Sequence, residues 1–344
     1  MLTVPKSTAR IGKKVFKFQV AVIASILLLS NFSSAWGQRQ PVARGNLKKP
    51  VCKPVARIIS GDLRRVAGSK VCEEDRLQPV AGATVEVLCY LSGNILNVSG
   101  GAIGKQCSSR SQTQSQHCTS GIRGDCLKVK GPDDENVPTL IVPYSPLILN
   151  SRPSLSWTAI PGAISYIVQI EGTGVNWSKE VNSISLPYSK EQPAMQPGNI
   201  YQVNVLAKMA EQKFIASQSI LMVASLQKAE QTKAIIERIQ NLNLPPDELA
   251  VDIESVYKGQ NLLTEAIEVL KERVKAKTQN PTIYRLLGDR YLNVGSPEQA
   301  MREYKMAIQY AKLRGNLNEL AQAQAGLKLL LQSQLPTRTN PDQK

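Results

Sequence analysis

The sequence contains a single histidine, His117, and no two cysteines in a C-x-x-C spacing. Structural zinc sites and Cys/His or Ser/His/Asp catalytic sites need these residues in defined arrangements. His117 lies beside Cys118 in a polar Ser/Gln tract, which is a poor setting for a preorganised base. The sequence therefore predicts no metal site, no cofactor site and no catalytic residues.

Other catalytic patterns are incomplete or misplaced. The segment GDLRRVAGSK, from Gly61 to Lys70, is rich in glycine but lacks the Gly-Lys-Ser/Thr order of a phosphate-binding loop. The acidic run from Asp133 to Glu135 lies in a proline-bordered stretch, whereas a glycosidase holds two carboxylates across a cleft. We therefore expect a protein that is not an enzyme, and keep an enzyme as the alternative.

The first 37 residues have the organisation of an export signal. A basic leader without acidic residues precedes the apolar run VAVIASILLL, Val20 to Leu29, and Ala35 and Gly37 are small residues at the cleavage positions. Cleavage would leave Gln38 first, in a periplasmic or secreted protein. The alternative is an uncleaved N-terminal membrane anchor over Phe16 to Trp36.

The cysteines indicate the same compartment, because all of them fall in one stretch beyond the signal and none follows it. An even number of cysteines confined to one module of an exported chain is typical of a disulfide framework. Their pairing is left open by the sequence. The disulfide candidates are Cys52, Cys72, Cys89, Cys107, Cys118 and Cys126.

The formal net charge of +15 is concentrated near the N-terminus. Residues 39–65 carry basic side chains throughout and a single acid, Asp62. Such a segment is either a solvated tail or a contact for an anionic envelope surface, such as lipid headgroups or wall polymers. Nucleic acid is excluded as a partner, because no aromatic residues interleave these charges to stack on bases.

Composition divides the chain into successive regions. Short β-branched runs separated by Gly or Pro predict all-β N-terminal modules, and periodic apolar positions further on predict an all-α helical array. The predicted regions are a signal peptide 1–37, a flexible basic leader 38–50, a cysteine-rich β module 51–130, a linker 131–143, a β-sandwich 144–224, helical repeats 225–335 and a disordered tail 336–344.

The second β module resembles the fibronectin type III family over roughly 80 residues. Trp157 ends an early strand, Tyr166 begins a middle one, and the turn MQPGNIY leads into Tyr201 in the family's order. The resemblance implies an immunoglobulin-like sandwich in which Tyr201 forms a tyrosine corner. Trp157 and Tyr201 are expected to be core residues.

The helical region repeats at an interval of 34 residues, the spacing of the tetratricopeptide repeat. Ala266 matches Ala300 at this interval, and Tyr257 matches Tyr291. The second copy resembles that family in Tyr284, Leu287, Gly288, Tyr291, Gly295, Ala300, Tyr304 and Ala307. With flanking apolar helices on both sides, about six helices are expected to form a small right-handed solenoid.

The resemblance implies that the first helix of each repeat faces a concave groove. The candidate groove residues are Ser255, Lys258, Arg285, Asp289 and Asn293. They suit a peptide or protein partner, such as one with a carboxylate that meets the cation of Arg285 or Lys258, and simple solvation is the alternative. We therefore expect a noncatalytic exported adaptor or scaffold for protein–protein interaction in the cell envelope. The alternative is an envelope-binding protein whose basic N-terminal β module binds anionic polymer or lipid while the helices serve for dimerisation.

The intact mass of the protein from its own cells tests export. We expect a chain that begins at Gln38 and takes up no alkylating label until it is reduced, because the leader is removed and the thiols are oxidised. A full-length chain with six free thiols would contradict the prediction.

Overall fold

The structure is a computed structural model that describes residues 52, 54–108 and 136–333. All of these belong to one unit, Pro50–Lys344. The predicted signal peptide 1–37, the basic leader 38–50 and the tail 336–344 lie outside the described residues, as do His117, Cys118 and Cys126.

The first β module consists of a four-stranded antiparallel sheet and a separate two-stranded pair. Its elements are β1 (Pro54–Ser60), β2 (Lys70–Cys72), β3 (Arg76–Leu77), β4 (Val85–Cys89), β5 (Asn94–Val98), β6 (Gly101–Ala102) and a short helix, α1 (Gly104–Ser108). The strand order is β2-β1-β4-β5, and β3 pairs with β6. β-branched residues such as Ile58, Val71 and Val87 are fully buried and form the core.

Two disulfides cross-link this module. Cys52 is bonded to Cys72 at the end of β2, with their Cα atoms 5.4 Å apart. Cys89 at the end of β4 is bonded to Cys107 in α1, with a Cα separation of 5.1 Å. The predicted disulfide framework is confirmed for these four cysteines, and such bonds are those of an oxidising compartment.

The second β module contains two facing sheets. Its strands are β7 (Leu140–Val142), β8 (Leu147–Ile148), β9 (Leu155–Trp157), β10 (Ser165–Gly172), β11 (Val175–Val181), β12 (Ser185–Leu186), β13 (Ile200–Lys208) and β14 (Phe214–Val223). One sheet has the order β11-β10-β13-β14-β8 and the other β12-β9-β7. Strand β7 lies inside the stretch 131–143 that the sequence predicted as linker, because Leu140 is buried in the sandwich core opposite Trp157.

The core of the sandwich contains the aromatic residues that its sequence predicted. Trp157 and Tyr201 are both fully buried. The Tyr201 hydroxyl accepts a hydrogen bond from the Gln196 N–H at 2.6 Å and donates to the Thr173 carbonyl at 3.1 Å. A tyrosine bonded to the backbone a few residues upstream has the geometry of a tyrosine corner. Assignment to the fibronectin type III family stays a prediction.

Six helices follow the sandwich over residues 226–333, as the sequence predicted. They are α2 (Leu226–Gln240), α3 (Pro246–Gly259), α4 (Leu263–Lys275), α5 (Pro281–Asn293), α6 (Pro297–Leu313) and α7 (Leu317–Ser333). Prolines suit the first helical position, where no N–H partner is needed, and three of these helices begin with one. None of the helices in the described part of the chain is long and apolar enough to span a membrane.

Two glycines allow α5 and α7 to approach the ring of Tyr304 on α6. A Cβ atom on Gly288 would lie 2.8 Å from Tyr304 Cδ1, and one on Gly326 would lie 2.5 Å from Cε1. Both distances are shorter than a carbon–carbon contact allows. The fully buried Tyr304 is thus enclosed by three helices because its neighbours lack side chains. Tetratricopeptide repeat architecture itself stays a prediction.

Replacing Gly326 tests this packing. We expect Gly326→Val to lower the free energy of unfolding by about 1–3 kcal/mol more than the matched substitution Gln324→Val, because only the former overpacks the Tyr304 ring. Gln324 is exposed on the same helix, so valine there costs only helix propensity, whereas at Gly326 propensity favours valine and any loss comes from packing. Equal losses in urea unfolding of the two variants would contradict the packing.

Candidate functional site

The predicted groove residue Arg285 on α5 is already paired within the chain. Its Nε atom lies 2.6 Å from Glu319 Oε2 on α7, and its Nη1 atom lies 2.9 Å from Asp289 Oδ2. Only 13% of the side chain is exposed. Burial lowers the pKa of the guanidinium, but Asp289 and Glu319 outweigh burial and leave it raised. Arg285 therefore joins two helices instead of presenting a free charge.

Asp289 continues the same network. Its Oδ1 atom accepts a hydrogen bond of 2.7 Å from the Tyr304 hydroxyl on α6. A second ion pair, between Glu254 on α3 and Arg290 on α5 at 2.5 Å, is almost wholly buried. Charged side chains in the array thus stabilise contacts between helices, and two of the five predicted groove residues, Arg285 and Asp289, belong to that internal network.

The other three predicted groove residues lie in different surroundings. Ser255 is buried, and its hydroxyl donates to the Asp252 carbonyl at 2.7 Å. Lys258 and Asn293 are partly exposed, near the C-terminal ends of α3 and α5. Asn293 shares its helix face with Arg285 and Asp289, which precede it at intervals of four residues. The structure thus places Arg285, Asp289 and Asn293 on one face of α5, whereas Ser255 and Lys258 belong to α3.

Ser255 is covered by the β4–β5 turn of the first β module. A Cβ atom on Gly93, in that turn, would lie 2.7 Å from the Ser255 carbonyl oxygen and 2.8 Å from the Val256 Cα. A Cβ atom on Gly259 would lie 2.2 Å from the Ser92 carbonyl oxygen. Two glycines therefore allow direct backbone contact between the turn and α3, so the chain itself occupies this part of the predicted groove.

A buried ion pair that the sequence analysis missed holds the first β module on α3. Arg57 on β1 is 1% exposed, and its guanidinium is paired with the fully buried Asp252. The same guanidinium reaches Glu248 at 3.0 Å and donates to the Gly68 carbonyl at 2.5 Å. A charge this deeply buried is tolerated only when it is paired and hydrogen-bonded. Separating the module from α3 would break this ion pair and leave each charge without its counter-ion.

The electrostatics follow from burial and from the nearby cations. Burial is the largest influence on Asp252 and raises the pKa of its carboxyl, while Arg57 acts in the opposite direction. Burial also raises the pKa of the neighbouring Tyr90 hydroxyl. Glu248 is more exposed: burial raises its pKa, but Lys70 and Arg57 outweigh burial and leave it lowered. Glu248 therefore supplies a stable negative charge at the rim of the joint.

Apolar contacts surround this pair. Ile59 and Leu88 from the sheet pack against Ile239 on α2 and Val256 on α3 in one buried cluster. A further ion pair joins Glu86 on β4 to Arg238 on α2. The first β module is therefore attached to the start of the helical array by an apolar cluster with charged pairs inside it and beside it.

A second joint attaches the sandwich to the helices. The ring of Tyr144 packs edge-on against Tyr291 of α5 at 5.7 Å between centroids. The backbone N–H of Leu149 donates to Glu265 Oε1 on α4 at 2.6 Å, and that of Ser145 donates to Thr264 Oγ1 at 3.3 Å. Both β modules thus contact the same helical array.

A cleft of about 450 Å³ lies beside this second joint. Val142, Ile148 and Ser154 of the sandwich and Glu265 and Lys271 of α4 are among its lining residues. Burial raises the pKa of the Glu265 carboxyl, whose Oε2 atom has no hydrogen-bond partner among the described residues. Lys271 is 2.6 Å from Glu268, so its ammonium is compensated within α4. In the same described part, no group of three or more His, Cys, Asp and Glu side chains is arranged to hold a metal ion.

Comparisons with known proteins give little guidance. No protein-family model matches the chain, and no curated protein is significantly similar to it. One solved structure, that of Astrotactin-2, described as a vertebrate-specific and perforin-like membrane protein involved in neuronal development, is similar at 14% sequence identity and a TM-score of 0.17. The match covers 46% of this chain and 34% of Astrotactin-2, and so spans about a third of that protein.

The buried pair makes a direct prediction. We expect Asp252→Ala to cost about 3–5 kcal/mol of unfolding free energy, because it leaves the Arg57 charge buried and unpaired. The double variant Arg57→Met, Asp252→Leu should be clearly more stable than Asp252→Ala, since it removes both charges and keeps their volume. Chemical denaturation measures both effects.

The control is the exposed pair Lys275–Glu272 on α4. Glu272→Ala should change the free energy of unfolding by no more than about 1 kcal/mol. Two results would show that Arg57 and Asp252 are not coupled. One is an Asp252→Ala cost no larger than this control. The other is strict addition of the unfolding free-energy losses of Arg57→Met and Asp252→Ala when the two substitutions are combined.

Proposed function

We propose that the protein is a noncatalytic exported scaffold that holds a protein partner on a rigid platform of three modules. The observation that carries this proposal is the pair of joints, one at Arg57–Asp252 and one at Tyr144–Tyr291. Domains within a chain usually meet through polar interfaces that permit relative motion. A buried ion pair inside an apolar cluster opposes such motion, because opening it exposes apolar surface and unpairs a charge.

The proposed modules are a cysteine-rich β module, a fibronectin type III-like sandwich and a tetratricopeptide-like array. The Tyr201 hydrogen bonds support the second assignment. The close approach of Gly288 to Tyr304 supports the third, since small residues at fixed positions let paired helices pack tightly. The disulfides support export, and the proposed location is the periplasm or the cell exterior.

The proposed partner surface is the α5 side of the groove. The first β module covers Ser255, and the face of α5 that carries Asn293 and the half-buried edge of Asp289 stays open to a partner. A partner here would hydrogen-bond to the Asn293 amide and pack over the paired Arg285 without needing its charge. This differs from the role of a free cation that the sequence predicted for Arg285.

Photo-crosslinking in the native cells tests this surface. With a photoreactive residue introduced at exposed positions of the groove side, we expect one protein partner to be crosslinked and Asn293→Lys to reduce that product about tenfold, as for a charge forced into a contact. The matched control is Gln309→Lys, an exposed position on α6. Equal yields from wild type and both variants, or crosslinks to polymer or lipid alone, would contradict the proposal.

A further inference from the structure

The loop between β1 and β2 in the first β module exposes large apolar side chains. Leu63 is 64% exposed and Val66 is 78% exposed. The adjacent turn after β3 adds Val80, which is 48% exposed. We refer to residues 62–67 and 79–81 as the apolar tip. It includes part of the segment Gly61 to Lys70, which is rich in glycine but lacks the Gly-Lys-Ser/Thr order of a phosphate-binding loop.

The apolar tip is held in place by hydrogen bonds. The Asp62 carboxylate accepts the N–H groups of Arg64, Arg65 and Gln78, each at 2.9 Å. The Leu63 N–H donates to the Gln78 carbonyl at 2.8 Å. Burial raises the pKa of Asp62, but these backbone donors outweigh burial and leave it lowered. The exposure of Leu63 and Val66 is therefore a feature of a braced loop.

Arginines border the apolar tip. Arg65 is fixed by Asp75 at 2.9 Å and donates to the Arg76 carbonyl at 3.1 Å. Arg64 and Arg76 are exposed, and neither guanidinium has an ion-pair partner within residues 54–108 and 136–333. The apolar tip itself contains two arginines and one acid, Asp62, whose carboxylate already binds three backbone donors, and Arg76 borders it directly after the acidic run Glu73–Asp75.

This combination determines the class of partner. Isolated exposed apolar residues are common, but a cluster on a braced loop is typical of an interaction site. Apolar side chains next to cations match a lipid interface, where acyl chains accept the former and anionic headgroups the latter. An anionic polymer would satisfy the arginines but would offer no apolar phase to Leu63 and Val66.

We propose that the apolar tip docks on the surface of an anionic lipid bilayer. Leu63, Val66 and Val80 then lie at the boundary between headgroups and acyl chains, and Arg64 and Arg76 contact the phosphates. This contact goes beyond the scaffold function and does not depend on it. It would orient the platform with the first β module towards the membrane.

Sedimentation of the full chain with phospholipid vesicles tests the proposal. We expect binding to vesicles that contain phosphatidylglycerol, weak binding to pure phosphatidylcholine, and a fall in binding with rising salt. Leu63→Ser should reduce partitioning by about tenfold, since it removes a leucine side chain that docking would bury in the lipid. Arg64→Glu should reduce partitioning by at least about fivefold, the effect of one basic residue near an anionic surface.

Matched controls distinguish vesicle binding by the apolar tip from nonspecific hydrophobic adsorption and from binding by the basic leader 38–50. Leu317→Ser replaces a leucine that is 75% exposed on α7, and Arg302→Glu reverses an exposed charge on α6. Both should leave partitioning unchanged, and thermal unfolding should be the same for all four variants. The proposal is overturned if phosphatidylglycerol vesicles do not bind, if Leu63→Ser behaves like Leu317→Ser, or if heparin binds the chain while vesicles do not.

Discussion

The arrangement of the described modules depends on one buried ion pair, between Arg57 on β1 and Asp252 on α3. A guanidinium and a carboxylate that are excluded from water are tolerated only when they form an ion pair. The pair therefore requires the sheet and the helix to meet in one orientation. The glycines at 93 and 259 permit backbone contact beside the pair, and the cluster around Leu88 and Val256 excludes water from it. The charges supply specificity, and the apolar cluster supplies most of the attraction.

Because of this joint, the helical array binds other parts of its own chain. An array of paired helices usually offers a concave face to other molecules, but here its first helices hold the chain's own β module and α4 holds the sandwich. Ion pairs such as Arg285–Glu319 then use charges inside the array to align successive helices. The array is therefore first an internal frame, and its open surface is smaller than the repeat pattern suggests. The apolar tip lies on the module that this frame orients.

The sequence predicted elements well where local patterns decide them. Periodic apolar positions and N-terminal prolines located six helices, and β-branched runs located the main strands, because neighbouring residues determine such features. Strand β7 was missed, since Pro138 and Pro143 on either side of it indicate a linker. Arg57 and Asp252 were also missed. Each interrupts an apolar run, but their sequence separation of 195 residues gives no local sign of a partner. Arg285 was interpreted as a free cation for the same reason, because its partner Glu319 lies on another helix.

Native-state hydrogen exchange tests the central claim, that the first β module and the start of the array form one cooperative unit. The measurement compares the opening free energies of amides in β1 and α3 as denaturant is raised below the unfolding transition. The account predicts that amides of Ile58 and Val256 open together, with the same free energy and the same denaturant dependence. Opening of β1 at a lower free energy, while α3 stays protected, would contradict it.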